Sequence, residues 1–172
     1  MERSEPYSGP RALTWRQFLG VVLTVVLSDA FTKLLAVDRL SPAHVPHPVF
    51  GEWFRFTLVY NPGAAFGLHL GPWSRWIFIV LTFVAVTVMW RLFLASPPDA
   101  RWRSWALALV SGGALGNLVD RLTSARGVVD FLDVGVGAWR WPTFNIADIA
   151  VSTGAILLTI VFWNEPEPSK DP

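Results

Sequence analysis

The sequence predicts a mainly α-helical membrane protein with four transmembrane helices, a small extramembrane β-sheet and a short interfacial helix on the outer face. Apolar residues make up 52% of the 172-residue chain. This share and a mean hydropathy of +0.41 are too high for a typical soluble domain. Four separate uncharged runs are present, and several of the ten Trp residues lie near their ends, as in the aromatic belts of membrane proteins.

Each uncharged run is shorter than the roughly 20 residues that a spanning helix needs, so each span must extend through a charged residue. The predicted spans are residues 14–36, 74–95, 103–122 and 146–164. The first run is long and has no small-residue cleavage site after it, so it is expected to remain as a membrane anchor. Residues 1–172 are therefore expected to form a single membrane domain.

Four spans put both termini on the same side of the membrane. Asp29, Asp120 and Asp148 then lie at one membrane face. The opposite face carries a set of arginines, namely Arg11, Arg16, Arg91, Arg101 and Arg103. The positive-inside rule predicts that the arginine face and both termini are cytoplasmic and that the acids lie near the outer face.

The segment between the first two spans, residues 37–73, is too long for a tight connection. Its stretch from Glu52 to Tyr60 is rich in aromatic and β-branched residues, which predicts a strand of a small sheet. The NPGAAFG sequence after it is expected to turn and to open a short interfacial helix. The tails, residues 1–11 and 165–172, are predicted to be disordered.

Composition excludes several functional classes. A net charge of +1 without a dense cluster of Lys and Arg argues against nucleic-acid binding. The chain has no Cys, which excludes thiol nucleophiles, thiolate metal sites and a lipid anchor on its own cysteine. Its three His residues lack the spacing of metal ligands, so we expect neither a metal nor a cofactor. The chemistry must come from oxygen and nitrogen groups.

The sequence GGALGNLVDR ends the third predicted span. Gly112 and Gly116 form a small-xxx-small pair that lets two helices approach closely. Asn117, Asp120 and Arg121 project from roughly one helical face because they are three and four positions apart. The alternative interpretation is a packing groove followed by an arginine that extends to the interface.

The sequence FNIADIAVSTG begins the fourth predicted span. Asn145 and Asp148 share a face at the helix start, where the helix dipole favours a carboxylate. An Asp in this position is very often only a helix cap, but opposite a second acid it becomes a candidate for catalysis. An ionisable group at membrane depth is costly to bury and is by default a functional hypothesis.

Three further motifs have structural alternatives. In SDAFTK, Asp29 and Lys33 are four residues apart and are expected to form an ion pair within the helix. The apolar stretch GVVDFLDV contains Asp130 and Asp133 in the connection between the third and fourth spans; the structural alternative for either acid is a turn position, and Asp133 is the expected bystander. In NPGAAFG, Asn61 and Gly63 are turn formers.

Taken together, SDAFTK, NPGAAFG, GGALGNLVDR, VVDF and FNIADIAVSTG resemble the ordered motif set of lipoprotein signal peptidase, also called signal peptidase II. The resemblance covers most of residues 28–154. It implies a multi-pass aspartic endopeptidase of the bacterial inner membrane that acts on prolipoproteins carrying diacylglycerol on a cysteine and cleaves before that cysteine. It also implies contact with membrane lipids and inhibition by the cyclic peptide globomycin.

The resemblance also assigns roles to individual residues. The two catalytic acids of the family map to Asp130 and Asp148, a choice that the residues alone did not make between Asp130 and Asp120. The remaining motif positions are implied to bind substrate or to shape the site, and they are Asp29, Lys33, Asn61, Gly63, Asn117, Asp120, Arg121 and Asn145.

Two carboxylates that share one proton can supply both a general base for water and a general acid for the leaving nitrogen, because like charges a few ångströms apart do not both ionise cheaply. A second hypothesis is a Ser/Lys peptidase with Ser28 or Ser111 as nucleophile and Lys33 as base. A third makes the acids a proton or cation relay in a small transporter.

Overall fold

The computed structural model describes residues 12–62, 64–65, 68–69 and 71–164. It contains four long helices: α1 (Trp15–Arg39), α2 (Ser74–Leu94), α3 (Arg101–Thr123) and α4 (Ile146–Asn164). The strands are β1 (Pro46–Phe50), β2 (Phe54–Asn61), β3 (Ala64–Ala65), β4 (Leu68–His69), β5 (Val128–Val136) and β6 (Trp139–Arg140). The predicted fold class, mainly helical with a small antiparallel sheet, is confirmed.

Helix α1 begins with a capping box. The Thr14 side chain accepts a hydrogen bond from the backbone N–H of Gln17, and the Gln17 side chain accepts one from the backbone N–H of Thr14. The helix continues past residue 36, where the sequence predicted its end, to Arg39. This extra turn carries an exposed ion pair between Asp38 and Arg39, and Pro42 follows shortly after it.

Three helices are long and apolar enough to cross a membrane, namely α1, α2 and α4. Helix α3 has 23 residues but is less apolar, because many of its positions are small residues that face protein. It packs against each of the other three helices, and Ala106, Leu107 and Ala108 are fully buried. A central helix surrounded by protein needs less hydrophobicity than one surrounded by lipid. That α3 also spans the membrane stays a prediction.

One end of the bundle brings together the start of α1, the end of α2 and the start of α3. The Leu13 backbone N–H donates to Ser104 Oγ at 3.0 Å. The Phe18 ring lies 5.5 Å from the Trp90 ring and 4.2 Å from the Phe93 ring, between centroids. The helices therefore alternate in direction, as expected when four spans put both termini on the same side. The acid-bearing ends of α1, α3 and α4 meet at the other end of the bundle.

A four-stranded antiparallel sheet lies at that other end, in the order β1-β2-β5-β6. It packs against the last turn of α1 through a shared hydrophobic core of Ala36, Leu40, Leu58, Val129, Phe131 and Leu132. The predicted strand at Glu52–Tyr60 corresponds to β2, which begins at Phe54 because the three residues before it form a turn. The sheet therefore sits directly above the helix ends that carry the acids.

Strand β5 does not support the turn alternative for Asp130 and Asp133. Both lie inside this strand and pair with Val59 and Arg55 of β2. The first six residues of β5 are all buried, so both faces of the strand are covered and its sequence lacks the polar alternation of a half-exposed strand. The strand places Asp130 and Asp133 at set positions relative to the helix ends.

The segment between β2 and α2 is described in part. The backbone of Ala64–Ala65 pairs with Leu68–His69, and a 3₁₀ turn at Gly71–Trp73 leads into α2. This turn is the one helical element in the described portion of that segment. Gly63 and the predicted disordered tails, 1–11 and 165–172, lie outside the described residues.

Candidate active site

The start of α4 fixes Asp148. Asn145 caps the helix: its Oδ1 accepts a hydrogen bond from the Asp148 backbone N–H at 2.9 Å. In return, Asp148 Oδ2 accepts one from the Asn145 backbone N–H at 3.2 Å. This reciprocal arrangement is a capping box, in which Asn145 is the N-cap residue and Asp148 is the third residue of the helix. It leaves Asp148 Oδ1 free to meet another helix.

That other helix is α3. Asn117 Nδ2 donates to Asp148 Oδ1 at 2.8 Å, and Asn117 Oδ1 accepts a hydrogen bond from Asn145 Nδ2 at 3.0 Å. Both oxygens of Asp148 thus accept N–H donors, and they do so at the positive end of the α4 dipole. These contacts fix the orientation of the Asp148 side chain at the start of α4.

Glycines make this contact between α3 and α4 possible. A Cβ on Gly113 would collide with the carbonyl oxygen of Ala147 and would lie 2.7 Å from Val151 Cγ2. A Cβ on Gly116 would lie 2.8 Å from Asp29 Oδ2. The small-xxx-small interpretation of Gly112 and Gly116 therefore holds, with Gly112 facing α1, where a Cβ would lie 2.8 Å from Val25 Cβ.

Asp130 reaches the same network from the sheet. Its Oδ1 accepts a hydrogen bond from Asn145 Nδ2 at 2.7 Å, and its Oδ2 accepts one from Asn61 Nδ2 at 3.2 Å. Asn145 is therefore hydrogen-bonded to both Asp130 and Asp148. The two acids also line one cavity of about 490 Å³. Other residues that line this cavity include Asn61, Asn117, Arg121, Phe78, Thr82, Trp141, Phe144 and Ile149.

The electrostatics of Asp130 differ from those of an ordinary carboxyl group. Only 3% of the residue is exposed. Burial, with a further contribution from the negative charge of Asp148, raises the pKa of Asp130 to about 7, although hydrogen bonds from Asn61 and Asn145 oppose the rise. Near neutral pH, Asp130 can therefore hold a proton beside Asp148.

Behind this pair lies a buried ion cluster. Lys33 Nζ lies 2.6 Å from Asp29 Oδ2 and 2.9 Å from Asp120 Oδ2, which confirms the predicted pair of Asp29 and Lys33 within α1. Asp29 Oδ1 accepts a hydrogen bond from the Ala147 backbone N–H, and Asp120 Oδ2 accepts one from the Val129 backbone N–H. These acids hold α1, α3, α4 and β5 together and do not line the cavity.

Asp133 has a separate environment. It accepts hydrogen bonds from Arg55, Arg140 and the Thr57 hydroxyl. Burial alone would raise the pKa of Asp133, but these three partners outweigh it and lower the pKa below its usual value. Asp133 does not line the cavity, so its geometry agrees with the bystander interpretation.

Arg121 lies at the cavity wall. Its Nη1 donates to the Asn117 carbonyl oxygen at 3.2 Å, and its guanidinium lies 5.2 Å from the centre of the Phe78 ring. Its Nε has no hydrogen-bond partner among the described residues. The cavity therefore contains a cationic donor close to the two acids.

The geometry does not favour a Ser/Lys pair. Lys33 forms ion contacts with Asp29 and Asp120 and donates to Asn117, so its donors are directed into the ion cluster and it does not line the cavity. Ser111 is buried and donates to the Leu107 carbonyl oxygen. Ser28 is exposed on α1, about 100° around the helix axis from the buried Asp29.

Several site residues were missed in the sequence. Phe78 and Thr82 line the cavity from α2 but lie within an uninterrupted apolar run, so nothing in their local pattern distinguishes them. Arg75 Nε donates to the Arg121 carbonyl oxygen at 2.6 Å, which ties the start of α2 to the end of α3. Arg75 could be recognised as a partner of the last turn of α3 only once the packing of α2 beside α3 was known.

No group of three or more His, Asp and Glu side chains in the described part of the chain is arranged to hold a metal ion. Of the predicted site residues, Gly63 alone lies outside the described ranges. All the others are in the cavity network or in the ion cluster directly behind it.

Comparison with known proteins gives a consistent result. The family model described as "Signal peptidase (SPase) II" matches residues 21–164. A protein of Burkholderia mallei (strain SAVP1) named "Lipoprotein signal peptidase" is 43% identical over 153 residues, 88% of each chain. One of the same name from Paraburkholderia phytofirmans is 41% identical over 162 residues, 93% of this chain and 92% of that one.

Two solved structures have the same fold. Both are described as bacterial membrane enzyme structures obtained by the in meso method, at 2.3 and 1.9 Å resolution. The first is 25% identical with a TM-score of 0.79 and covers 94% of this chain and 98% of its own. The second is 26% identical with a TM-score of 0.78 and covers 91% and 98%. With a family model matching most of its length and relatives above 40% identity, this chain belongs to the signal peptidase II family.

Proposed function

We propose that this chain is an aspartic endopeptidase that removes signal peptides from diacylglyceryl-modified prolipoproteins, with Asp130 and Asp148 as its catalytic pair. Membership of the signal peptidase II family and the names of its relatives support a peptidase that acts on prolipoproteins. The observation that carries the aspartic mechanism is the joining of Asp130 and Asp148 by Asn145 at one cavity.

The two acids have complementary environments. Asp148 accepts two N–H donors at a helix N-terminus, and in this mechanism it is the general base that takes a proton from water. Asp130 has a pKa raised to about 7 by burial and by the charge of Asp148, which suits a general acid that protonates the leaving nitrogen. The pair titrates as a unit, so its activity depends on one shared proton.

The mechanism uses these roles in sequence. Asp148 takes a proton from a water molecule between the two acids, and the resulting hydroxide attacks the scissile carbonyl carbon. Asp130 then gives its proton to the leaving nitrogen as the carbon–nitrogen bond breaks. The guanidinium of Arg121 lines the same cavity and would donate to the carbonyl oxygen as negative charge develops on it.

The site suits a substrate that is itself anchored in lipid. The cavity is lined by polar groups from the helix ends and by apolar groups of α2 and α4, including Phe78, Ile149 and Ile156. The cleavage-site backbone would lie among the polar groups while the acyl chains stay beside the helices. Moving acyl chains from lipid to protein gains little free energy, so the diacylglyceryl group positions the substrate more than it adds affinity.

The apolar helices fit a multi-pass protein of the bacterial inner membrane. We propose further that both termini are cytoplasmic and that the pair acts near the outer face. This orientation is supported by the arginines at the opposite end of the bundle: Arg16, Arg91, Arg101 and Arg103. Family membership leads us to expect that globomycin inhibits cleavage and that residues 1–172 act as a single domain.

The test is cleavage of a diacylglyceryl-modified precursor peptide by purified protein in detergent. Asp130→Asn and Asp148→Asn are expected to abolish cleavage while the thermal midpoint shows that each variant is folded. Asp38→Asn is the matched control, because Asp38 is an exposed acid of the same chain that pairs with Arg39 away from the cavity. Cleavage at the wild-type rate by either cavity variant would refute the mechanism.

A further inference from the structure

Lys33 occupies the centre of the buried ion cluster, and its side chain is 4% exposed. An ammonium group has three N–H donors. Here each has an acceptor: Asp29 Oδ2 at 2.6 Å, Asp120 Oδ2 at 2.9 Å and Asn117 Oδ1 at 2.9 Å. Two of these partners are charged and join helices. The third, Asn117, is neutral and lies between Lys33 and the proposed catalytic pair.

The contact with Lys33 favours one orientation of the Asn117 side-chain amide. An amide group can be rotated by 180° with almost no change of shape, and the rotation exchanges its oxygen acceptor for its N–H₂ donor. Lys33 and Asn145 both donate to Asn117 Oδ1. The N–H₂ group must then face Asp148, and it does so at 2.8 Å. In the rotated amide, the N–H₂ group would face two donors and an oxygen would face the carboxylate.

Lys33 also supplies a positive charge. The charged groups around the network are Asp29 on α1, Asp120 and Arg121 on α3, Asp148 on α4 and Asp130 on β5. If Lys33 were absent, Arg121 would be the one cation among the described residues of this set, beside four acids. A buried acid that has lost its cation opposes ionisation of Asp130 and Asp148. This pair would therefore bind its second proton at a higher pH.

We propose that Lys33 is a positioning residue: through Asn117 it directs an N–H donor at Asp148 and so keeps the proposed catalytic pair in its singly ionised form. This inference rests on the proposed function of Asp130 and Asp148. Lys33 contacts neither acid of the pair and does not line the cavity. It acts on Asp148 through one intermediate side chain.

The experiment compares the pH profile of cleavage for wild type and Lys33→Met. If Lys33 keeps the pair singly ionised, the acidic limb of kcat in Lys33→Met moves upward by roughly one pH unit, the order of shift caused by the loss of one opposite charge near a carboxyl group, since the charge of Lys33 opposes the rise in the pKa of Asp130. A purely structural Lys33 would lower the thermal midpoint and the yield but leave the acidic limb unmoved. Arg39→Met is the matched control, since Arg39 is an exposed cation on the same helix and its profile should equal that of wild type.

A double-mutant cycle tests the route through Asn117. In an Asn117→Leu background, Lys33→Met should no longer reduce kcat by the factor seen in the wild-type background, since residues acting through one contact are not additive. Full additivity of the two changes would overturn the proposed route.

Removal of Lys33 leaves Asp29 buried without its cation, which can prevent folding. The second variant is therefore Asp29→Asn combined with Lys33→Met, which removes both charges together. The amide oxygen introduced by Asp29→Asn can still accept the hydrogen bond from the Ala147 N–H. An upward shift is expected again, smaller than in Lys33→Met because Asp29 no longer carries a charge, and a wild-type profile in this variant overturns the proposal. If instead Asp130→Asn and Asp148→Asn still cleave, the proposed function fails and not this inference alone.

Discussion

The raised pKa of Asp130 predicts a pH-dependent stability that one substitution removes. The pKa of an unfolded Asp is 3.8, and that of folded Asp130 is about 7. Between these values the folded chain binds more protons than the unfolded chain, so the free energy of unfolding falls as pH rises. At about 1.4 kcal/mol per pKa unit, the loss is roughly 4 kcal/mol once the pH is well above 7.

Asp130→Asn replaces the acid with a neutral group of the same shape. The variant has no carboxyl group to ionise at this position, so its stability should not show this loss. Relative to wild type, the variant should gain roughly 2–3 kcal/mol between pH 5 and pH 8, the window in which folded Asp130 loses most of its proton. For a chain of this size, that corresponds to roughly 5–10 °C in thermal midpoint. Asp130→Asn is also expected to change the free energy of unfolding by an amount that is the same at every pH, because its new N–H₂ group faces the N–H₂ group of either Asn61 or Asn145.

The assay is the thermal midpoint in detergent from intrinsic fluorescence, which the ten Trp residues make strong. Wild type, Asp130→Asn and the surface control Asp38→Asn are measured from pH 5 to pH 8. The difference between wild type and Asp130→Asn should change with pH, while Asp38→Asn should follow wild type. If the midpoints of wild type and Asp130→Asn move in parallel, Asp130 does not have the raised pKa and the reasoning fails.

Three further predictions follow from the same contacts. Gly113→Ala should destabilise the fold by about 1–3 kcal/mol, because the new methyl group meets the Ala147 carbonyl and Val151. An unchanged thermal midpoint would contradict the close packing of α3 on α4. Asp133→Asn should lower the thermal midpoint at pH 7 by the equivalent of about 2 kcal/mol, since Arg55 and Arg140 lose a charged partner. Because the pKa of Asp133 is lowered, its contribution is lost as pH falls below 3.8, so the gap to wild type should close there and not at alkaline pH. Cleavage of the precursor peptide should be unchanged in EDTA, and loss of activity that added Zn²⁺ restores would show that the two acids do not act alone.

The helices were largely predictable from the sequence because hydropathy is a local property. The four uncharged runs placed α2 and α4 within a residue or so of their observed bounds. Strand β5 was not predictable in this way. Its buried, non-alternating sequence carries no period that separates a strand from an apolar connection, so the strand that contains Asp130 and Asp133 was not identified.

The residues in the chain were sufficient for the fold class, for the absence of thiol chemistry and for a set of three candidate acids at one membrane face, because composition and short motifs depend on neighbours in sequence. Choosing between Asp120 and Asp130 as the partner of Asp148 was a different question. The ion pair with Lys33 and the hydrogen bond from the Val129 N–H occupy Asp120, whereas Asp130 faces the cavity and Asn145. That distinction depends on the register of β5 and on how closely glycines let α3 approach α4, and these are contacts between segments far apart in the chain.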